Sequence, residues 1–376
     1  MKTNRTLKFK LPKDERLIQL LKHLRDIKNY IAYVCQEGNF KSLNKLHKAV
    51  YYKIRTEYPF IPARFVIDIE REVLAKIKGV RRAKSVFYSF KSLSVWLTKG
   101  MSYKFDWKSL SIIYEAYGVK KGKWIRFEIK KDKRYEKYKD WHFKEARLKF
   151  DGEILWFYLI VEKDVEFKET NEFIGVDINF DNITLSNQAK IPYDLKRVLG
   201  IRRSIEKIMK KYGKQWRSNK GILEAIRRRY RNIRNYTEDI AWKIANQVVK
   251  FGANVVLENL KNIKKNVKYG NEFNKKLHLW VYGKIQQKIE IKAEEFGLKV
   301  IYVNPKGTSS YCPECGNRVS KKSYDLLYCK NCNIEWDRDY LAAINILKRG
   351  LEMWEYALPE RPRPDVNPNG VRGEWA

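Results

Sequence analysis

Two C-x-x-C knuckles, Cys312-Pro-Glu-Cys315 and Cys329-Lys-Asn-Cys332, stand thirteen residues apart. Four thiolates at that spacing surround one tetrahedral zinc and leave no open position, which is the pattern of a structural site. Disulfides are the competing use of such cysteines, but they belong to oxidising compartments. Cys35 lies alone on an apolar helical stretch and reads as a small buried hydrophobe. Directly after the second knuckle, "DRDYLAAINIL" brings Asp337 and Asp339 to the start of a helix. Two more acids occupy unusual places: Asp177 in the middle of the strand-like "FIGVDI", and Glu258 at the end of "NVVLE". Asp is disfavoured inside strands, so Asp177 calls for a reason. Three converging carboxylates repel one another unless cations lie between them. Two Mg²⁺ ions about 4 Å apart satisfy that arrangement and clamp the attacking and leaving oxygens of a phosphodiester. Taken singly, Asp337 or Asp339 serves as a helix N-cap, which needs no metal, and Asp337 fits that role well.

The charge of the whole chain favours the catalytic reading. Lys and Arg number 79 against 44 acids in 376 residues, a net +35. That excess costs self-repulsion and makes sense when a polyanion neutralises it, nucleic acid being the usual one. A merely basic surface, as in some thermophiles, is the blander account. The longest apolar run, "ILWFYLIV" at 154–161, is too short to span a bilayer, and "MKTNRTLKFKLPKDER" has no apolar signal region. The expectation is a cytoplasmic protein with no membrane partner. "GVKKGKW" at 118–124 has one residue too few for a phosphate loop and Trp124 where Ser or Thr belongs. ATPase chemistry is therefore rejected.

Several elements must position these groups, in a multidomain α/β chain. "RTLKFKL" puts Leu7, Phe9 and Leu11 on one face of a strand. Pro12 and Asp14 then open a helix with Leu17, Leu20, Leu21, Leu24 and Ile31 along its stripe. Helical spacing continues to about residue 98. From 100 to 170 the period becomes two, with strands expected in "LSIIYEAY", "KWIRFEI", "EARLKF" and "ILWFYLIV" and a hairpin turn at Asp151-Gly152. These strands and the first one suggest a small barrel interrupted by a helical insertion. "KKDKRYEKYKDWHF" interleaves basic and aromatic residues, which suits either a solvated loop or phosphate contact with base stacking.

Beyond 171 strands and helices mix. Ile174, Val176, Ile178 and Phe180 share one face of a strand, and Gly175, Asp177 and Asn179 the other. A helix is expected over roughly 221–250, with Ile226, Tyr230, Ile233, Ile240, Ile244 and Val248 as its apolar stripe and Arg227, Arg228, Arg231 and Arg234 as a candidate nucleic-acid face. "ANVVLENL" reads as a buried strand, followed by a helix at about 275–296 and the strand "LKVIYVNP". The stretch 351–376, rich in Pro, Arg and Gly from 357, reads as an extended or disordered tail.

The ordered motifs "GVDINFDNITLS", "VVLENLKNI", "TSSYCPECG", the second knuckle and "DRDYLAAINI" resemble TnpB, the transposon-encoded RNA-guided nucleases related to type V CRISPR effectors. "IPARFVIDIEREVLAKIKG" resembles that family's recognition lobe more loosely. The resemblance implies an RNase H-like (RuvC) nuclease domain at 171–304 and 336–350, with a zinc ribbon inserted at 305–335. It also implies a wedge β-barrel from 1–12 and 100–170 and a helical recognition lobe at 13–99. Asp177, Glu258 and Asp339 then correspond to the RuvC acids, holding two Mg²⁺ with Asp177 between them, and Cys312, Cys315, Cys329 and Cys332 hold one structural zinc. The implied partners are a guide RNA and target DNA, read by base pairing plus a short flanking motif. The oligomeric state is left open by the sequence, a monomer being favoured. Asn179 stands where members often have Gly, and Leu341 where they usually have Asn. Neither change removes a ligand, though Leu341 withdraws a polar group from the neighbourhood of the metals.

A DDE transposase would carry Glu as its last acid, and no His-hydrophobe-His pair is present for tyrosine-transposase chemistry. The remaining alternative is a nuclease-inactive, RNA-guided or plain DNA-binding repressor of the same fold. Loss of an acid would signal it, and all three are present.

Overall fold

Alternation in "KTNRTLKFKL" becomes strand β1 (Lys2–Leu11) in the computed structural model, with every second side chain buried from Thr3 to Leu11. The structure describes residues 2–83, 85, 87, 89–117, 122–260 and 281–357. Asp14 caps helix α1 (Glu15–Glu37), its Oδ1 accepting from the backbone N–H groups of Arg16 and Leu17. Leu17, Leu20, Leu21, Leu24 and Ile31 lie in the core, as does Cys35. Helices α2 (Leu43–Glu57) and α3 (Ala63–Arg82) follow.

Helical spacing is expected as far as 98, yet Leu93–Leu97 is strand β2. Its partner is β6, in which Ala146 faces Leu97, and local periodicity cannot reveal so distant a pairing. The others here are β3 (Tyr103–Phe105), β4 (Ser109–Glu115), β5 (Lys123–Glu128), β6 (His142–Phe150) and β7 (Leu155–Asp164). Where five strands and one barrel are expected, seven strands form a sheet ordered β1-β7-β6-β2 and another ordered β3-β4-β5. No ladder among the described residues joins the two sheets. They share a core in which the rings of Phe9, Phe105 and Phe157 meet with centroids 5.5 to 6.2 Å apart. The β6–β7 hairpin turns at Asp151-Gly152, where Asp151 Oδ1 accepts from Glu153 and Ile154 N–H and Gly152 takes φ +104°. A β-carbon disfavours that conformation. Residues 2–164 form one compact unit and those from 165 on a second.

The second unit begins with a meander of β8 (Phe173–Ile178), β9 (Asn182–Leu185) and β10 (Lys190–Pro192). Helix α4 (Lys196–Tyr212), which has no counterpart in the sequence reading, buries only Val198 and Ile205. Helix α5 (Lys220–Val248) follows the expected stripe, with Ile226, Ile240, Ile244 and Val248 buried. Then come β11 (Asn254–Glu258), α6 (Tyr282–Glu295) and β12 (Val300–Val303). Residues 275–280 of the helix expected there lie outside the described residues. Three short strands, β13 (Ser320–Lys321), β14 (Leu326–Cys329) and β15 (Ile334–Asp337), lead into helix α7 (Arg338–Ala357). Residues 351–357 are thus helical rather than part of a tail, because Trp354 continues the packing face and meets Phe173 at 5.5 Å. The rest of the expected tail, 358–376, lies outside the described residues. No helix among the described residues is long and apolar enough to cross a membrane.

The second unit's sheet runs β10-β9-β8-β11-β12, with β11 parallel to both β8 and β12. Ile174, Val176 and Ile178 pack against Ile240 and Ile244 of α5 and Ile285 and Ile289 of α6. Val256 and Val303, on the opposite face, pack against Ile346 of α7. Two glycines set that second interface. A β-carbon on Gly175 would lie 2.2 Å from the Ala343 carbonyl oxygen, and one on Gly350 2.5 Å from both Val256 methyl groups. Because a backbone carbonyl cannot rotate out of the way, Gly175→Ala is expected to destabilise this unit by ~3 kcal/mol, the upper end for overpacking. Urea denaturation measures it, and an unchanged midpoint would mean that α7 does not need this close approach.

Candidate acidic site and cysteine cluster

Strand alternation places Asp177 on the same face as Gly175, toward α7. It is 8% exposed, and burial, then the charges of Glu258 and Asp339, push its carboxyl up to about 8. Asn179 Nδ2 donates to Asp177 Oδ2 at 2.9 Å and opposes that rise. Glu258 ends β11 one residue past the Leu257–Val176 pair, so it rises beside Asp177 on the same face. Burial raises its carboxyl, while the Thr308 hydroxyl and the Arg349 charge pull it back. Thr308 Oγ1 donates to Glu258 Oε1 at 2.5 Å.

Asp339 occupies the first turn of α7, at the positive end of the helix dipole. Its Oδ1 accepts from the Arg338 guanidinium at 3.1 and 3.2 Å. Asp337 is the cap: Oδ1 accepts from Asp339 and Tyr340 N–H, and Oδ2 pairs with Lys190 at 2.7 Å. Three acids therefore gather at the carboxyl ends of two parallel strands and the amino end of the helix laid across them. Open α/β sheets bind their ligands at such an edge. All donors there are hard oxygens, which suit Mg²⁺.

The four knuckle sulfurs are drawn tighter. Cys312 and Cys332 Sγ lie 3.9 Å apart, and Cys315 and Cys329 Sγ 3.5 Å. Zinc with bonds of about 2.3 Å sets tetrahedral sulfurs about 3.8 Å apart, whereas a disulfide needs about 2.05 Å. Among the described residues these thiols are the only group of three or more ligand atoms lying within 4.8 Å of one another. The Asn317 N–H holds the Cys315 thiol down to about 6, while hydrogen bonding from Cys315 first pushes Cys332 up to about 12. Each knuckle is followed by a left-handed residue, Gly316 at φ +72° and Asn333 at φ +58°.

Arg227, Arg228, Arg231 and Arg234 are exposed on α5. Among the described residues none has an acidic partner. Sequence reasoning missed Thr308 and Asn345. Asn345 Nδ2 donates to the carbonyls of Thr308 and Tyr311 at 2.7 and 2.8 Å, tying α7 to the loop that holds Glu258. A Thr two residues before the Ser-Tyr-Cys of a knuckle gives no local sign of this. Leu341 is fully buried, one turn before Asn345, and its place in the apolar core explains the residue type.

Comparison with known proteins adds an independent finding. A family model described as Cas12f1-like, TNB domain, matches residues 282–346, from α6 into α7. The chain is similar to TnpB-like protein MJ0751 of Methanocaldococcus jannaschii, with 33% identity over 241 residues, 60% of this chain and 85% of that protein. It is 37% identical over 128 residues to the CRISPR-associated endodeoxyribonuclease Cas12f1 of Sulfoacidibacillus thermotolerans, spanning 33% of this chain and 29% of that protein. In fold it is similar to Cas12f1 in a cryo-EM complex with sgRNA and target DNA, at a TM-score of 0.64 and 16% identity. That match covers 88% of this chain and 82% of the other.

Proposed function

This chain belongs to the TnpB family, and from that membership we propose that it is an RNA-guided DNA endonuclease with a RuvC-type, RNase H-like nuclease domain. The observation that carries the reading is the meeting of Asp177, Glu258 and Asp339 at one sheet edge, close enough that the other two charges raise the first. Asp177, Glu258 and Asp339 would hold two Mg²⁺, which supply an activated water and stabilise the leaving oxygen of a phosphodiester. The chain's own residues prepare that site. Asn179 and Thr308 orient one oxygen each of Asp177 and Glu258, and the α7 cap at Asp337 fixes where Asp339 stands. None of the motif residues is a histidine, so activation of the attacking water would fall to metal coordination rather than to an imidazole base.

The fold supports the other parts of the reading as well. The mixed sheet with helices on both faces accords with an RNase H-like core, and the sheets of the first unit with a wedge domain whose helices α1–α3 form the recognition lobe. Guide RNA and target DNA are the partners of the solved relative, and the +35 charge suits both. The direct test uses the protein with its co-purified RNA and a matched DNA target, in Mg²⁺ and then in EDTA. Cutting in the first alone supports the reading. Target binding without cutting in Mg²⁺ or Mn²⁺ replaces it with the repressor.

RNA affinity is expected to fall steeply with salt, because each neutralised phosphate releases counterions. If α5 tracks the backbone, the triple variant Arg227→Glu, Arg228→Glu, Arg231→Glu flattens that slope and weakens binding. Filter binding at several salt concentrations measures both, and an unchanged slope would make this helix face a solvated surface.

A further inference from the structure

The basic-aromatic stretch "KKDKRYEKYKDWHF" plays no part in the acidic site, and it forms one wall of a cavity in the first unit. The cavity holds about 250 Å³. That is just below the roughly 300–1,000 Å³ of pockets for drug-sized molecules, a size for a single heterocycle. Phe9 of β1, Trp107 from the β3–β4 turn and Tyr135 line it with aromatic surface. Phe9 and Tyr135 already meet edge to face at 5.2 Å.

The walls are pre-set by hydrogen bonds. Tyr135 Oη donates to the Lys8 carbonyl at 3.0 Å and accepts from Lys8 N–H at 3.2 Å. Asp106 Oδ1 accepts from Lys108 and Ser109 N–H, closing the turn that carries Trp107, and Ile129 N–H donates to the Lys108 carbonyl. Lys108, Lys130 and Lys131 stand exposed at the rim. The acids beside them are already matched, Asp132 by Arg134 at 2.6 Å and Glu136 by Lys139 at 2.7 Å. An apolar, aromatic slot under a cationic rim fits a flat base with phosphates on either side, since an aromatic surface stacks any base and the lysines hold the backbone charge.

We propose that this cavity takes one unstacked nucleobase from a single-stranded segment of bound nucleic acid, with the flanking phosphates on Lys108, Lys130 and Lys131. The proposal rests on the reading that the protein carries nucleic acid. It gives the basic-aromatic stretch a binding role separate from the chemistry.

Ultraviolet cross-linking of the protein–RNA complex, followed by peptide mass spectrometry, tests it. Cross-links are expected on the peptides bearing Trp107 or Tyr135. A short single-stranded RNA, its DNA counterpart and an abasic version of each then compete for that cross-link, which also tells an RNA source from a DNA one. The abasic strands keep every phosphate, so they should compete at least about ten-fold less well than their parents. The surface variant Lys130→Glu, Lys131→Glu should weaken the same cross-link while the urea midpoint of the free protein stays that of the parent, both lysines being exposed. Cross-links confined to other peptides would overturn the cavity assignment and leave the partner reading intact. Equal competition by abasic strands would also overturn it, leaving only rim charge. No cross-linked or retained nucleic acid at all would remove both.

Discussion

Asp177→Ala is expected to keep its RNA, bind matched target DNA and fail to cut it. The substitution deletes the most buried of the three acids, the one on which the other two act electrostatically. Transition-state charge stabilisation at such a site is worth several kcal/mol, so the rate should fall at least about a thousand-fold. Binding survives because phosphate contacts elsewhere supply the affinity. A second readout separates this from unfolding. A carboxyl pushed up to about 8 stabilises the fold only while protonated, so its contribution is present below about pH 4, the ordinary carboxylate range, and is lost as pH rises through 8. In EDTA at pH above 8, Asp177→Asn should therefore be more stable than the parent, on the order of a few kcal/mol. Wild-type cleavage by Asp177→Ala would place the chemistry elsewhere. A variant that is less stable and also loses RNA would mean that Asp177 is structural.

Cys329→Ser should take the zinc content from one per chain to none and loosen the ribbon. Structural zinc contributes about 10–16 kcal/mol to small zinc-finger peptides, more than a ribbon of three short strands gains from its own packing. The damage should spread to the acids. Asp337 pairs with Leu326 across β14 and β15, and the same residue caps α7 two positions before Asp339. Cleavage should fall with the zinc, whereas RNA retention, carried by charge spread over the whole chain, should not. Elemental analysis together with hydrogen exchange over 305–340 reads both effects. Wild-type protein without zinc, or a variant that keeps it, would reject the site.

Much of the candidate site is legible along the chain because its signals are local. The knuckles declare themselves by spacing alone, since a thiolate pair two residues apart already has most of a metal's geometry. Asp177 stands out because a charged residue mid-strand is costly without a purpose, and Asp337 because a cap needs only its own helix. The Arg stripe of α5 is visible for the same reason: it has a helical period. Strand β2 is not legible, because Leu93–Leu97 has meaning only once β6 lies beside it. Helix α4 buries too little to leave a clear stripe.

By itself, then, the sequence determined the residue chemistry: four thiols of a kind that suits a soft cation, three acids of a kind that suits hard ones, and an excess of positive charge that suits a polyanion. It also determined most of the elements that carry these groups. Tertiary structure decided which groups support one another. Gly175 is needed because α7 crosses it, Thr308 because Glu258 comes within 2.5 Å, and Asn345 because the loop before the ribbon passes under it. None of these follows from spacing, because each depends on two surfaces meeting at a distance set by packing, and packing is a property of the folded pair rather than of either segment.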